Sequence, residues 1–311
     1  LGFAGIYVRE DVGGSGLSRL DAALIFEELS RGCIATAAFV SIHNMCSWMI
    51  DAFGAEEQRQ RWLPNLTSME TIASYCLTEP GSGSDAAALR TSAKADGNAH
   101  YVLNGAKAFI SGAGFSDLYV VMCRTGEDGP RGVSTLVVES AAAGLSFGKA
   151  EEKMGWRAQP TAIVNLENCR VPAENRIGPE GDGFKYAMKG LDGGRLNIAA
   201  CALGGAQDAF DRALAYVKER RQFGKRIADF QNTQFTLADM ETELAAARAL
   251  LHTAARKLDA KAPDATKYCA MAKRFVTDAA FKVADQALQL HGGYGYLADY
   301  QVERIVRDLR V

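Results

Sequence analysis

The 311-residue sequence predicts an α+β protein in three successive parts: helical, then β, then helical again. Three observations carry that reading. Apolar residues keep helical spacing up to about residue 72, short apolar runs alternate with turn residues over 73–180, and long one-faced helical patterns fill 181–311.

In the first part, Leu20, Ala23, Leu24, Phe26 and Leu29 share a helix face, and 56–63 reads as a short charged helix. The uncharged run 32–50 is the one membrane-like feature. Ser41, His43, Asn44 and Ser47 interrupt it, and polar groups are costly in hydrocarbon, so a buried helix is expected rather than an integral membrane segment. In the middle part, 74–78, 100–103, 118–122 and 133–138 read as strands. Asn104-Gly105 lies between two such runs and is the strongest short hairpin signal. With no helical crossover between the runs, an antiparallel barrel or sandwich is expected. In the third part Phe230, Leu237, Met240, Leu244, Leu251 and Leu258 fall on one helix face, and Pro263-Asp264 breaks that helix. A second helix carrying Met271, Phe275, Ala279 and Leu288 ends at Gly292-Gly293, as a helical bundle requires. The opening Leu1, and a charged helical pattern running unstopped to Val311, suggest an excerpt at both ends.

Lys plus Arg is 35 and Asp plus Glu is 37, a net charge of −2, which argues against a nucleic-acid binder. The seven cysteines lie at least thirteen positions apart without a C-x-x-C, which speaks against a metal knuckle or dithiol and fits a reducing compartment. No histidine has an i, i+4 partner, so no metal site is expected.

The run Gly81-Ser82-Gly83-Ser84-Asp85-Ala86 satisfies G-x-G-x-x-[GA] in form. It is followed by a strand-like pattern, not the helix a dinucleotide site needs, and so reads as a glycine-serine loop facing a polar ligand or simply as a surface loop. Arg220-Arg221-Gln222-Phe223-Gly224 suits a phosphate with a stacked base, or a helix-capping cluster. The run 291–295 allows close backbone approach, or merely stops a helix. The residues alone stop short of a chemistry.

The stretch Tyr75-Cys76-Leu77-Thr78-Glu79-Pro80-Gly81-Ser82-Gly83-Ser84-Asp85 resembles a signature of the acyl-CoA dehydrogenases. The resemblance continues through Asn104-Gly105, Phe109-Ile110-Ser111, Arg220 to Gly224, Phe230-Gln231 and Gln289-Leu290-His291-Gly292-Gly293, in the family's order and across essentially the whole chain. It implies an N-terminal helical domain (1–72, partial), a middle β domain (73–180) and a C-terminal four-helix bundle (181–311, partial). The implied activity is FAD-dependent α,β-dehydrogenation of a short branched-chain acyl-CoA. The stretches 41–46, 234–240 and 291–297 point to isobutyryl-CoA, converted to methacrylyl-CoA in valine breakdown. Butyryl- or 2-methylbutyryl-CoA, or a catalytically idle flavin-binding subunit, are the alternatives. Electrons would pass to an electron-transferring flavoprotein. A homotetramer is implied, in the cytoplasm of a bacterium or the mitochondrial matrix of a eukaryote.

By the same resemblance, Tyr75, Cys76, Leu77, Thr78, Gly81, Ser82, Gly83 and Ser84 border the flavin, with Thr78 near its pyrimidine side and Ser84 also touching CoA. Phe109 packs on the ring with Ile110 beside it, and Ser111 donates towards N5. Arg220 and Gln222 meet the pyrophosphate of a neighbouring subunit's FAD, Phe223 meets its adenine region, and Phe230, Gln231, Gln289, Leu290, His291, Gly292 and Gly293 complete the adenosine end. Asp192, Gly193, Gly194 and Arg195 match a CoA-contacting segment. The family's glutamate base is expected beyond Val311. The alternative position for it is Gly194, which cannot take a proton, and Glu303 and Asp308 read as solvated helix residues. Residues 1–311 by themselves are therefore expected to bind FAD poorly and turn over little.

Overall fold

A computed structural model describes residues 2–311. The chain divides into two compact units. The first holds Leu1–Leu17, Phe39–Glu152 and Gln159–Leu191; the second holds Ser18–Ala38, Lys153–Ala158 and Asp192–Val311.

The chain opens with helices α1 (Arg19–Gly32), α2 (Ile34–Phe53) and α3 (Glu56–Ser68). A capping box starts α1: the Asp21 N–H donates to Ser18 Oγ and the Ser18 N–H donates to the Asp21 carboxylate. The polar residues that interrupt α2 are satisfied inside the first unit. Asn44 Oδ1 accepts from the Ile6 N–H at 2.8 Å and its amide donates to the Phe3 carbonyl at 2.7 Å. His43 Nδ1 accepts from the Ala73 N–H, which leaves Nε2 to donate to the Leu66 carbonyl at 3.0 Å. Burial holds this imidazole below its ordinary pKa. Among the described residues no helix is long and apolar enough to cross a membrane. Arg59 on α3 is buried in the same unit, donating to Asp51 at 2.9 Å, to both Asp11 oxygens at 2.7 and 2.8 Å, and to Glu56.

Eight strands of the first unit form one sheet: β1 (Ala73–Cys76), β2 (Ser92–Asp96), β3 (His100–Ser111), β4 (Leu118–Arg124), β5 (Val133–Glu139), β6 (Leu145–Phe147), β7 (Thr161–Pro172) and β8 (Arg176–Ile177). Their order is β6-β7-β3-β2-β4-β5-β8, with β1 on β4. The sheet is open rather than a closed barrel, and mixed rather than purely antiparallel. β1 runs parallel to β4, from Ala73 opposite Leu118 to Cys76 opposite Val121, and β2 meets β4 in parallel at Ser92–Arg124. Residues 77–117 separate β1 from β4, room for the crossover that parallel pairing needs. Alternate β4 residues feed two cores: Leu118, Val120 and Met122 one, Tyr119, Val121 and Cys123 the other. Burial on both faces explains why the strand reads as an unbroken apolar run.

The expected hairpin at Asn104-Gly105 is absent. The pair lies within β3, at a bulge where the register against β7 shifts between Leu103 and Gly105. Gly105 (φ 149°) is needed there, since a Cβ would stand 2.6 Å from Thr91 Oγ1. The turn into β3 falls earlier, at Gly97 (φ 63°) between Asp96 and His100.

Helix α4 (Gly183–Glu219) leads into the second unit, with a short hairpin of β9 (Arg221–Gln222) and β10 (Lys225–Arg226) and the helices α5 (Gln231–Asp259), α6 (Ala265–Leu290) and α7 (Val302–Leu309). Met240, Leu244 and Leu251 of α5 are buried as expected, with Leu237, Leu258 and the capping Phe230 at the margin. On α6 the buried stripe is Cys269, Ala272, Val276, Ala279, Val283 and Ala287, whereas Met271 and Phe275 are exposed. Small residues carry that interface, so bulk alone misplaces the face. Six cysteines are buried and inert, burial pushing Cys76 and Cys123 up to about 12; Cys33 is half-buried.

Candidate active site

The turn after β1 brings the first group of candidate residues together on the first unit. The Thr78 carbonyl accepts from the Ala108 N–H at 2.8 Å, tying the turn to β3. Glu79 and Ser82 exchange N–H···O bonds at 2.9 and 3.1 Å, and Ser82 Oγ donates to the Asp85 carbonyl at 2.6 Å. Gly81, Gly83 and Ser84 are left exposed. Cys76, Leu77 and Ile110 are buried in the cores, so they can serve a ligand only through their main chain. A cavity of about 430 Å³ opens beside the turn, lined by Glu79, Gly81, Ser82, Arg90, Thr91 and Gly105 among others.

Phe109 stands out on energetic grounds. Its φ is +57° and its side chain is 73% exposed, at a second register shift between Lys107 and Ile110. A left-handed backbone at a bulky residue costs about 1–2 kcal/mol, and an exposed ring recovers none of it within the chain. A flat ligand stacked on the ring would. Two residues on, Ser111 Oγ accepts from the Gln159 amide at 3.3 Å, which directs the hydroxyl proton elsewhere.

A second group assembles on the second unit. Phe223 (φ +52°) and Gly224 (φ +78°) form the two-residue turn joining β9 to β10, where two left-handed residues fit the strand twist. Phe223 is thereby held 92% exposed at the tip, edge-on to Phe230 at 6.2 Å. Alongside lies a groove of about 390 Å³ whose lining includes Arg220, Gln222, Gln289, His291, Gly292 and Gly293. Its floor is aromatic. His291 stacks on Tyr216 at 4.6 Å with Nδ1 against the Ala287 carbonyl, and Tyr294 lies 5.2 Å from Tyr300. The Arg220 guanidinium sits 5.4 Å from the Tyr294 ring centre. Among the described residues neither Arg220 nor Arg221 has a carboxylate within 4.0 Å, so both cations are available to an anion. Gln231 and Gln289 are exposed nearby in the chain, and Leu290 lines the groove.

The glycines separate packing from ligand duty. A Cβ on Gly205 would stand 2.4 Å from Ile34 Cδ1, a packing reason. Gly81, Gly83 and Gly293 lie outside the left-handed region, and a Cβ on any of them would meet nothing within 4 Å. Neither turn geometry nor packing requires them to lack a side chain, and their bare backbone is open to close approach.

Asp192, Gly193, Gly194 and Arg195 lie together on α4 in the second unit. Arg195 donates to Asp192 Oδ1 at 2.6 Å, Thr266 donates to Oδ2 at 2.7 Å, and a Cβ on Gly193 would reach Arg19 Nη1 at 2.4 Å. Of the two acids near the end of the chain, Glu303 pairs with Arg307 at 2.7 Å. Asp308 is not solvated as expected: it is buried and accepts from the Trp156 N–H at 2.6 Å. Burial outweighs that bond and the nearby arginines and pushes its carboxyl up.

Two features escape a reading of the sequence. Tyr216 and Tyr294 look like ordinary helix and loop residues. Lys107, beyond the 100–103 run that reads as a strand, is fully buried and donates to Glu79 Oε1 at 2.8 Å and the Leu77 carbonyl at 3.0 Å. Burial pushes Glu79 up, but the Lys107 cation and the hydrogen bonds outweigh it and hold the carboxyl below the usual range. Burial, only partly offset by Glu79, draws the Lys107 ammonium down.

The first unit thus carries a polar glycine turn beside an exposed, strained aromatic, and the second a cationic aromatic groove; each offers a surface to a ligand. Comparison with known proteins specifies the class. Family descriptions of the acyl-CoA dehydrogenase N-terminal, middle and C-terminal domains match residues 1–70, 74–169 and 181–311. The mitochondrial isobutyryl-CoA dehydrogenase of Bos taurus is 59% identical over 311 residues, all of this chain and 74% of that protein; the one of Dictyostelium discoideum is 61% identical over 312 residues, with 75% of it covered. The structure of butyryl-CoA dehydrogenase from Megasphaera elsdenii superposes with a TM-score of 0.96 at 39% identity, over 99% of this chain and 82% of that one. The chain belongs to the acyl-CoA dehydrogenase family, a family of oxidoreductases.

Proposed function

We propose that the protein binds FAD and dehydrogenates a short branched-chain acyl-CoA, isobutyryl-CoA foremost, at the α,β-carbons. The observation that carries this is the pair of open glycines on the first unit, Gly81 and Gly83, on the turn tied to the strand of the strained, exposed Phe109; Gly293 is open in the same way on the second unit. They fit a ligand with a flat ring at one end and a pyrophosphate and adenosine at the other.

When bound, FAD supplies the acceptor for a hydride from the substrate β-carbon. The residues of the chain bind and orient. Phe109 offers a face for the ring, Ser111 its free hydroxyl proton, and the main chain of Leu77 and Thr78 the polar edge. Arg220 and Gln222 would hold the pyrophosphate of a neighbouring subunit's FAD as cation and amide, Phe223 would meet its adenine region, and Phe230, Gln231, Gln289, Leu290, His291, Gly292 and Gly293 would complete the adenosine end. Ser84 at the turn, and Arg195 oriented by Asp192, serve CoA. The α-proton leaves to a base; Gly194, the alternative position for it on α4, carries no acid. Within the same reading, an electron-transferring flavoprotein would be the electron acceptor, and the enzyme would be a homotetramer. Exposed apolar Phe235, Met271 and Phe275 on α5 and α6 support a subunit interface. A eukaryotic form would work in the mitochondrial matrix, a reading the mitochondrial relatives support, and a bacterial one in the cytoplasm.

The test is anaerobic reduction of the FAD-loaded enzyme by isobutyryl-, 2-methylbutyryl-, butyryl- and octanoyl-CoA. Bleaching of the visible flavin band is expected fastest with isobutyryl-CoA. No bleaching with any thioester would sink the activity, and a preference for the straight chain would sink the substrate.

A further inference from the structure

The buried Lys107–Glu79 pair in the first unit has no part in the binding scheme above. Glu79 is tied three ways: Oε1 accepts from Lys107 Nζ at 2.8 Å and from the Thr91 N–H at 2.9 Å, and Oε2 accepts from the Arg90 N–H at 2.7 Å. Lys107 also donates to the Leu77 carbonyl at 3.0 Å. The pair therefore closes the neck of the segment from Leu77 to Thr91, which carries the glycine turn. The Ala108 N–H, next along β3, bonds the Thr78 carbonyl, and Phe109 follows. One cation thus stands at the junction of the two segments that offer Thr78, Phe109 and Ser111.

A buried ion pair is a poor device for stability alone, because desolvation consumes most of the attraction and apolar replacements of similar volume fold as well. Two fixed charges of opposite sign in a poorly screened interior do act on a neighbouring redox group.

Resting on the flavin reading, we propose that Lys107 and Glu79 are positioning residues that fix the Leu77–Thr78 main chain against the flavin and bias its reduction potential in opposite directions. Lys107 favours the electron-rich reduced form and Glu79 disfavours it; together they nearly cancel.

The test is the midpoint potential of the FAD-loaded enzyme, read by equilibration with redox dyes, in K107M, E79Q and K107M/E79Q. The potential is expected to fall in K107M, rise in E79Q and return close to the parent value in the double variant. A merely structural pair would shift both single variants the same way, or neither, and either result overturns the proposal. Where K107M retains no FAD, the double variant is compared with E79Q: a potential below that of E79Q supports the proposal and an equal one overturns it. Failure of the parent enzyme to take up FAD refutes the flavin reading instead, so the two failures are distinct.

Discussion

Gly293→Ala and Gly83→Ala each add one methyl group where the protein places no atom within 4 Å. Neither residue has a left-handed backbone, so alanine fits without strain. In the FAD-free protein each change should leave stability unaltered or raise it by about 0.4–1 kcal/mol, because alanine has less freedom to lose on folding. If a ligand lies against the bare backbone, the same methyl overpacks the bound state at about 1–3 kcal/mol, which is roughly 5- to 150-fold in Kd. Gly205→Ala is the control. Its Cβ would stand 2.4 Å from Ile34 Cδ1 and 2.7 Å from Cγ1. It should lower the unfolding free energy by about 1–3 kcal/mol while the folded fraction keeps its FAD affinity. FAD titration by fluorescence quenching, paired with urea unfolding of the FAD-free protein, reads both quantities. Parent-like FAD affinity in both Gly83→Ala and Gly293→Ala would refute the argument that these glycines exist for the ligand.

Phe223→Ala should leave thermal unfolding of the FAD-free protein unchanged, since the ring is almost wholly exposed, and weaken FAD binding in the same titration. Arg59→Met removes one of the two guanidinium groups on the buried Asp51 carboxylate, Arg9 being the other, and should destabilise the protein in urea denaturation by less than the ~3–5 kcal/mol of a buried charge left with no partner. Asp308→Asn keeps an acceptor for the Trp156 N–H. The Asp308 pKa is raised in the folded state, so the parent protein loses stability as pH rises from the ordinary carboxylate value, 3.8, through the folded one. The variant should lack that loss and be at least as stable as the parent at pH 7. His43 works in the opposite sense: its folded pKa is depressed, so stability present above the ordinary value, 6.5, drains away as pH falls below it, and His43→Gln should flatten that limb of the stability profile.

What the sequence discloses is what is local. The glycine turn after β1 and the Arg-Arg-Gln-Phe-Gly run carry their chemistry within a few residues, and the structure presents both at accessible surfaces. The helical patterns of α1, α2, α3 and α5 are legible for the same reason: periodicity is a local property. What stays hidden depends on residues distant in the chain. A four-residue run does not declare whether its partner is parallel, so β1 was not separable from a hairpin strand. Asn104-Gly105 has turn composition, yet Thr91 needs the glycine for a bulge instead. The pairing of Lys107 with Glu79 spans 28 residues, and that of Asp308 with Trp156 spans 152. Neither lysine nor aspartate announces its burial.

The short segment Lys153–Ala158 has a consequence for how the chain must fold. It lies between β6 and β7 in sequence yet belongs to the second unit, where a Cβ on Gly155 would stand 2.4 Å from the Arg307 carbonyl. In all, the polypeptide passes between the units five times. No single cut separates one unit intact from the other, so the pieces cannot be exchanged as modules. On the ribosome the segment must wait about 150 residues for its partners, with Trp156 committed to neither neighbour in the interval. Closing so long a loop is entropically slow. The stitch at Trp156 and Asp308 is therefore expected to form among the last contacts of the second unit.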